Sequence, residues 1–83
     1  MISDESRSVA QRAKAIYESR LQSDLEKSNF GHFVSIEPSS GDYFLGETFD
    51  DAVNSAVTKY PTRLTHTIRI GHQAAFHLGL VWQ

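Results

Sequence analysis

The chain has 83 residues, no cysteine and a formal net charge of −2. A chain this short forms one domain and buries only about 60% of its unfolded surface, so association with another chain is a natural supplement to its core. Without cysteine there are no disulfides, thiolate metal ligands or catalytic thiols. A slightly acidic balance is not typical of nucleic-acid binding, and no apolar run approaches the roughly 18 residues that span a bilayer. We therefore expect a cytoplasmic protein that binds neither nucleic acid nor membrane.

The first predicted element is a helix over residues 4–28. Asp4 and Glu5 would lie in its first turn, where negative charge favours the helix dipole. Asn29 and Gly31 end it, because both residue types accept left-handed backbone geometry. Its apolar residues recur at the three- and four-residue intervals of one helix face: Val9, Ala13, Ile16, Tyr17, Leu21 and Leu25.

Two short strands follow, at about residues 32–37 and 42–46. Both runs are rich in β-branched and aromatic residues, and the proline- and glycine-containing linker between them predicts a hairpin. Val34 and Ile36 share one face of the first strand. The second strand is apolar on both faces, so we expect one of Tyr43 and Phe44 to reach the surface or a partner.

A second helix is predicted over residues 48–60. Thr48 is its N-cap, with Asp51 three residues later as a variant capping box. Pro61 ends the helix by biasing Tyr60 away from helical geometry. One face carries an apolar stripe with a 3.6-residue period: Phe49, Ala52, Val53, Ala56, Val57 and Tyr60.

The remaining pattern predicts two more strands, at about residues 64–71 and 75–81. The first alternates cleanly, with Leu64, Ile68 and Ile70 on one face. The second also alternates, and we interpret it either as a fourth strand or as an arm covered by a partner chain. The order α-β-β-α-β-β predicts an α+β domain of two layers, with an antiparallel sheet of three or four strands and both helices on one face.

Histidine is the residue type best suited to acid–base or metal chemistry near neutral pH. His66 is expected to be a partly buried core residue, and the spacing of His72 and His77 matches no zinc motif. One alternative stays open: a small-molecule or metal-binding domain, or a minor enzyme, that arranges four residues around one pocket. Those residues are His66, His72, Arg69 and Glu37.

The sequence contains no carboxylate pair, serine nucleophile or phosphate-binding loop of a kind typical of an active site. Asp50 and Asp51 are explained by capping and Asp42 by turn chemistry. There is no Gly-x-Ser-x-Gly elbow, and Glu47 stands where a phosphate-binding loop requires lysine. We therefore predict no catalytic, cofactor-binding or metal-binding residue and no cofactor.

Several segments resemble a family of small bacterial proteins of unknown function, found in cyanobacteria and planctomycetes. They are Ala-Lys-Ala-Ile-Tyr, Phe-Val-Ser-Ile-Glu-Pro, Ser-Gly-Asp-Tyr-Phe-Leu-Gly-Glu-Thr, Tyr-Pro and Ile-Arg-Ile-Gly-His, between Arg12 and Phe76. The resemblance covers most of the chain and implies no activity. Genes of this family lie beside a small retropepsin-like aspartic protease, which implies a protein partner.

A shorter stretch, Gly46-Glu-Thr-Phe-Asp-Asp-Ala-Val53, is similar to the strand-to-helix junction of HicB-type antitoxins. That similarity implies a domain that binds a small toxin. We predict a non-catalytic protein-interaction module, antitoxin-like or paired with a neighbouring gene product, that forms a homodimer or binds a small protein. The predicted interaction residues are Tyr43, Phe44, Phe76, Leu78, Leu80 and Trp82.

Overall fold

A computed structural model describes residues 4–72 of the chain and confirms an α+β fold with an antiparallel sheet. The predicted strand at 75–81 lies outside the described residues. The elements in order are α1 (Asp4–Ile16), a π-helical turn (Tyr17–Leu21), α2 (Gln22–Ser28), β1 (Phe33–Glu37), β2 (Asp42–Gly46), α3 (Phe49–Lys59) and β3 (His66–Arg69).

The sheet has three strands within residues 4–72, in the order β2-β1-β3. Val34 lies opposite Leu45 of β2 and opposite Ile68 of β3, and both pairings are antiparallel. β3 is shorter than the predicted 64–71, but its contact with the chain before β1 continues: the Ile70 N–H donates to the His32 carbonyl, 2.8 Å away. β1 is therefore the central strand, and β2 is an edge strand.

The helices lie on opposite faces of the sheet, so the prediction of two layers with both helices on one face is wrong. α1, the π turn and α2 pack on what we call the α1 face, where Val34, Ile36, Ile68 and Ile70 form one cluster with helix residues. α3 packs on the other side, the α3 face, where the Phe49 ring meets the Phe33 ring edge-on. One-sided stripes on two helices are equally compatible with either arrangement, because a stripe does not state which sheet face it covers.

The N-terminal helix is continuous from residue 4 to 28 but contains a π turn that the sequence reading missed. The buried residues Ala13, Tyr17, Leu21 and Leu25 are each four positions apart. In a regular α-helix, four-residue steps drift by about 40° each around the axis. One wider turn cancels part of that drift, because a π turn accommodates an extra residue. All four side chains therefore stay on the α1 face.

Tyr17 joins this helix to the end of β3. Its side chain is fully buried, and its hydroxyl donates to Glu26 Oε2 at 3.0 Å and accepts from the Gly71 N–H at 3.4 Å. Burial is the main cause that raises the pKa of Tyr17 to about 12, so the phenol stays protonated. The buried hydroxyl thus has both a donor and an acceptor, as a buried polar group requires.

α3 begins and ends where its sequence signals predict. The Thr48 hydroxyl accepts from the Asp51 N–H at 3.1 Å, which is N-cap geometry. Ala52 and Ala56 are fully buried against the sheet. Their small size lets the helix approach closely: a Cβ added to Gly46 would lie 2.8 Å from the Asp51 Cβ. Gly46 is therefore required for this close approach.

Candidate functional site

The four residues proposed to surround one pocket do not converge. Glu37 and Arg69 lie on the same sheet face but at opposite ends, because Arg69 pairs with Phe33. Glu37 is four residue steps along β1 from Phe33, a distance of about 13 Å. His66 pairs with Ile36 and therefore points to the opposite face from Glu37. The prediction that these residues surround one pocket is therefore wrong.

The two described histidines of that set have different surroundings. The His72 ring packs against the Phe30 ring in a tilted geometry, with centroids 5.2 Å apart, just beyond the end of β3. His66 is half-buried at the other end, where burial lowers its pKa below the ordinary value. His77 lies outside the described residues. Across residues 4–72, no three His, Asp or Glu side chains are close enough to hold a metal ion.

Glu37 is the one buried carboxylate of the sheet, with a side chain only 2% exposed. It accepts hydrogen bonds from the Ser39 and Ser40 N–H groups, at 3.0 and 2.9 Å, and lies 3.3 Å from Arg63 Nη1. Burial alone would raise the pKa of Glu37, but the hydrogen bonds of Ser40 and Ser39 and the Arg63 charge outweigh it. The pKa is held below its ordinary value, so the carboxylate is charged at neutral pH.

Tyr60 extends the network around this carboxylate through its contacts with Arg63 and Asp42. The Arg63 guanidinium lies over the Tyr60 ring, 5.5 Å from its centroid, a geometry that favours a cation. The Tyr60 hydroxyl donates to Asp42, which also lies 3.8 Å from Lys59 Nζ. The end of β1, the start of β2 and the residues at the end of and after α3 are thus linked by charges and aromatic rings.

A cleft opens beside this network, between α1 and the segment before β3. Its volume is about 330 Å³. Glu37, Pro38 and Ser39 form one wall, Thr62, Arg63 and Leu64 a second, and Glu5, Ser8, Val9 and Arg12 the third. A neighbouring cleft of about 290 Å³ shares Val9 and Leu64 and contains His66. Small side chains near the start of α1 leave this space open.

The edge strand β2 carries exposed apolar side chains. Tyr43 and Leu45 lie on the α1 face and are 44% and 39% exposed. α1 packs mainly against β1 and β3, which leaves these two residues uncovered. Phe44 points to the other face, half-buried, and meets the Tyr60 ring edge-on at 6.1 Å. Of the pair flagged in the sequence, Tyr43 reaches the surface and Phe44 supports Tyr60.

The other predicted interaction residues, Phe76, Leu78, Leu80 and Trp82, lie outside the described part of the chain. The sequence did not predict that Leu45 is exposed or that Arg12 and Arg63 line a cleft. Leu45 had a usable signal, since it shares a strand face with Tyr43 by simple alternation. Arg12 and Arg63 had none, because their neighbourhood depends on the packing of distant segments.

No protein-family model, curated protein or solved structure matches this chain. The resemblances to an uncharacterised bacterial family and to HicB-type antitoxins therefore stay predictions. Within the described residues, no helix is both long enough and apolar enough to cross a membrane.

Proposed function

We propose that this chain is a non-catalytic protein-interaction module that forms a homodimer through the free edge of β2. The observation that carries this is the uncovered strip of Tyr43 and Leu45 beside an edge with no strand partner in residues 4–72. Soluble proteins usually protect an edge strand with lysine, proline or a bulge. β2 has no lysine or proline, and its single charge, Asp42, is already engaged by Tyr60 and Lys59.

A second copy fits this edge in one antiparallel register. A two-fold axis perpendicular to the sheet keeps the α1 faces of both copies continuous, so paired residues must share a face. Centring the axis on Phe44 pairs the whole strand: Phe44 with Phe44, Tyr43 with Leu45, and Asp42 with Gly46 of the second copy. Moving the centre to Tyr43 or Leu45 pairs only three strand residues. The Phe44 register also places no like charges opposite each other.

The outer side of α3 supports the same symmetry. Phe49 contacts the central strand β1, so the opposite side of the helix, bearing Asp51, Ser55 and Lys59, faces past β2. All three residues are exposed. Asp51 lies above Gly46 and Lys59 beside Asp42, which puts Ser55 near the level of Phe44. A two-fold axis there brings Asp51 of one copy towards Lys59 of the other, a complementary pair.

The first test is the mass of the native protein in solution, by native mass spectrometry and sedimentation. We expect a dimer for the natural chain and a monomer for the double variant Tyr43→Lys/Leu45→Lys, in which like charges would lie directly opposite. Val57→Lys is the matched control. Val57 is 47% exposed, like the two β2 residues, but lies on the side of α3 that faces away from the β2 edge. It is expected to remain dimeric.

A mixing experiment tests the register. Tyr43→Lys mixed with Leu45→Glu is expected to form a heterodimer, because those positions face each other when the axis passes through Phe44. Tyr43→Lys mixed with Tyr43→Glu is the control, with charges opposite only if the axis passes through Tyr43. A monomeric natural chain, or a dimer indifferent to the double lysine variant, would contradict the proposal. A stoichiometric foreign protein from native extract, and no self-dimer, would favour the antitoxin-like alternative instead.

A further inference from the structure

We infer that the cleft between α1 and residues 62–64 binds a small oxyanion, a carboxylate or phosphate monoester attached to an apolar body. The first observation is that two arginines line it from different segments, Arg12 from α1 and Arg63 from the chain before β3. Guanidinium is the side chain best suited to hold carboxylate or phosphate, because its donors match two oxygens at once. From the sequence alone, an ordinary solvated surface is the preferred interpretation of both arginines.

Arg63 is held in position before any ligand arrives. One of its terminal nitrogens, Nη1, lies 3.3 Å from the buried Glu37 carboxylate, and the Tyr60 ring supports the guanidinium from one side. Glu37 is itself fixed by two backbone N–H groups of the turn after β1. The remaining N–H groups of Arg63 are available to the cleft, and its side chain is 51% exposed. Glu37 is therefore a positioning residue in this site.

Arg12 completes the pair of cations. Its guanidinium has no ion-pair or hydrogen-bond partner among residues 4–72. Glu37 is neutralised by Arg63, so the charges left to the cleft are those of Arg12 and the exposed Glu5. An arginine without a carboxylate partner, in the same cleft as a second arginine that is held in place, is better satisfied by an anion than by water alone.

The rest of the lining defines what the anion carries. The hydroxyls of Ser8, Ser39 and Thr62 donate to no acceptor within the described residues, so they are available to oxygen atoms of a ligand. Val9, Pro38 and Leu64 add an apolar wall. The volume of about 330 Å³ falls at the small end of the range for small-molecule sites. A ligand with one charged end and a short apolar body fits this lining.

The test is a titration of the ¹⁵N-labelled full chain with phenyl phosphate, benzoate and inorganic phosphate at constant ionic strength, followed by NMR. We expect saturable shifts centred on Ser8, Ser39 and Thr62, stronger for a probe with an apolar ring than for inorganic phosphate. A response to phenyl phosphate alone identifies the phosphate class, and a response to benzoate alone the carboxylate class. No saturable shift with any probe overturns the inference.

Variants separate the site from general cation effects. Arg12→Gln is expected to weaken binding by about tenfold, the cost of one charge-assisted contact, and Arg63→Gln by at least as much. Arg63→Lys keeps the charge but loses the paired donors, so it is expected to rescue only part of the binding. Arg69→Gln removes the same charge at the far end of the sheet and is expected to bind normally.

Folding of each variant is checked by the dispersion of its NMR spectrum. Arg12→Gln keeps the test informative if Arg63→Gln is unstable, because Arg12 supports no other described residue. Equal losses from Arg12→Gln and Arg69→Gln would overturn the inference, since binding would then follow net charge. The cleft lies away from the β2 edge, so this titration and the mass of the dimer have independent outcomes.

Discussion

The two faces of the sheet bury different kinds of side chain. On the α1 face, large apolar side chains from β1, β3 and the N-terminal helix form one cluster. On the α3 face, the buried residues are two alanines of α3, Ala52 and Ala56, and the polar Ser35 and Glu37 of β1. The first face is stabilised mainly by burial of apolar volume. The second depends on close backbone approach and on satisfied polar groups, and the cleft arginine belongs to that polar network.

The two faces also differ in which strand their helix leaves uncovered. Each helix is offset from the centre of the sheet, α1 towards β3 and α3 towards β2. On the α1 face this leaves Tyr43 and Leu45 of β2 exposed, and on the α3 face it leaves Phe49 and Val57 beside β3 exposed. A three-stranded sheet with staggered helices therefore has uncovered apolar area at two diagonal corners. The proposed dimer covers the first of these.

The largest effect is expected on the α1 face. Ile36 is fully buried in the cluster, so Ile36→Ala should lower the free energy of unfolding by about 4 kcal/mol through lost burial and the cavity left behind. Ser35→Ala, the neighbouring position on the α3 face, is the matched control. It loses the 3.2 Å hydrogen bond from Thr67, worth about 1 kcal/mol. Chemical denaturation followed by circular dichroism measures both, and equal costs would contradict the contrast between faces.

A smaller but still large effect is expected where α3 touches the sheet. In Gly46→Ala the new Cβ would lie 2.8 Å from the Asp51 Cβ and would also collide with the Ala52 backbone nitrogen. Forcing α3 outward should cost about 3 kcal/mol of unfolding free energy.

Gly31→Ala is the control for that substitution. Nothing lies within 4 Å of the added Cβ, but the backbone φ of +86° is strained for alanine, so a cost of about 1 kcal/mol is expected. If the denaturation midpoints of both variants fall equally, the close approach of α3 to Gly46 adds nothing to the cost of the Gly46→Ala substitution, and the prediction is contradicted.

The smallest of the three effects concerns the polar network. Glu37→Gln removes the charge that accepts from Ser39, Ser40 and Arg63 and should cost about 2 kcal/mol at neutral pH, since Arg63 is half-exposed and its share is screened. The native pKa of Glu37 is lowered. Its stabilisation is therefore complete above the unfolded value of about 4.3 and is lost as pH falls through the native value.

The measurement for Glu37 is the unfolding free energy of the natural chain and of Glu37→Gln at neutral and at acidic pH. The gap between the two proteins should narrow on acidification below about pH 4.3. Asp24→Asn, an exposed acid within the N-terminal helix with no ion-pair partner among residues 4–72, is the control. A gap independent of pH would mean that the carboxylate charge is not what stabilises the network.

The sequence by itself determined the local elements. Periodicity, the Thr48 cap and Pro61 are interactions between near neighbours, so the hairpin and α3 could be placed from residue types alone. Alternation also gave the two faces of β1 correctly. The four-residue spacing from Ala13 to Leu25 is compatible with a π turn. The turn is needed only because all four side chains pack against the same face of the sheet, which the sequence does not state.

Only the tertiary structure decided what depends on contacts between distant segments. Which face each helix covers, and hence the change from two layers to three, is not encoded in a one-sided stripe. The ion pair of Glu37 with Arg63, 26 positions apart, and the presence of Arg12 in the same cleft follow from how α1 and the chain after α3 cross the end of the sheet. Local propensity acts over a few residues, whereas clefts and edges form where separate elements fail to cover one another.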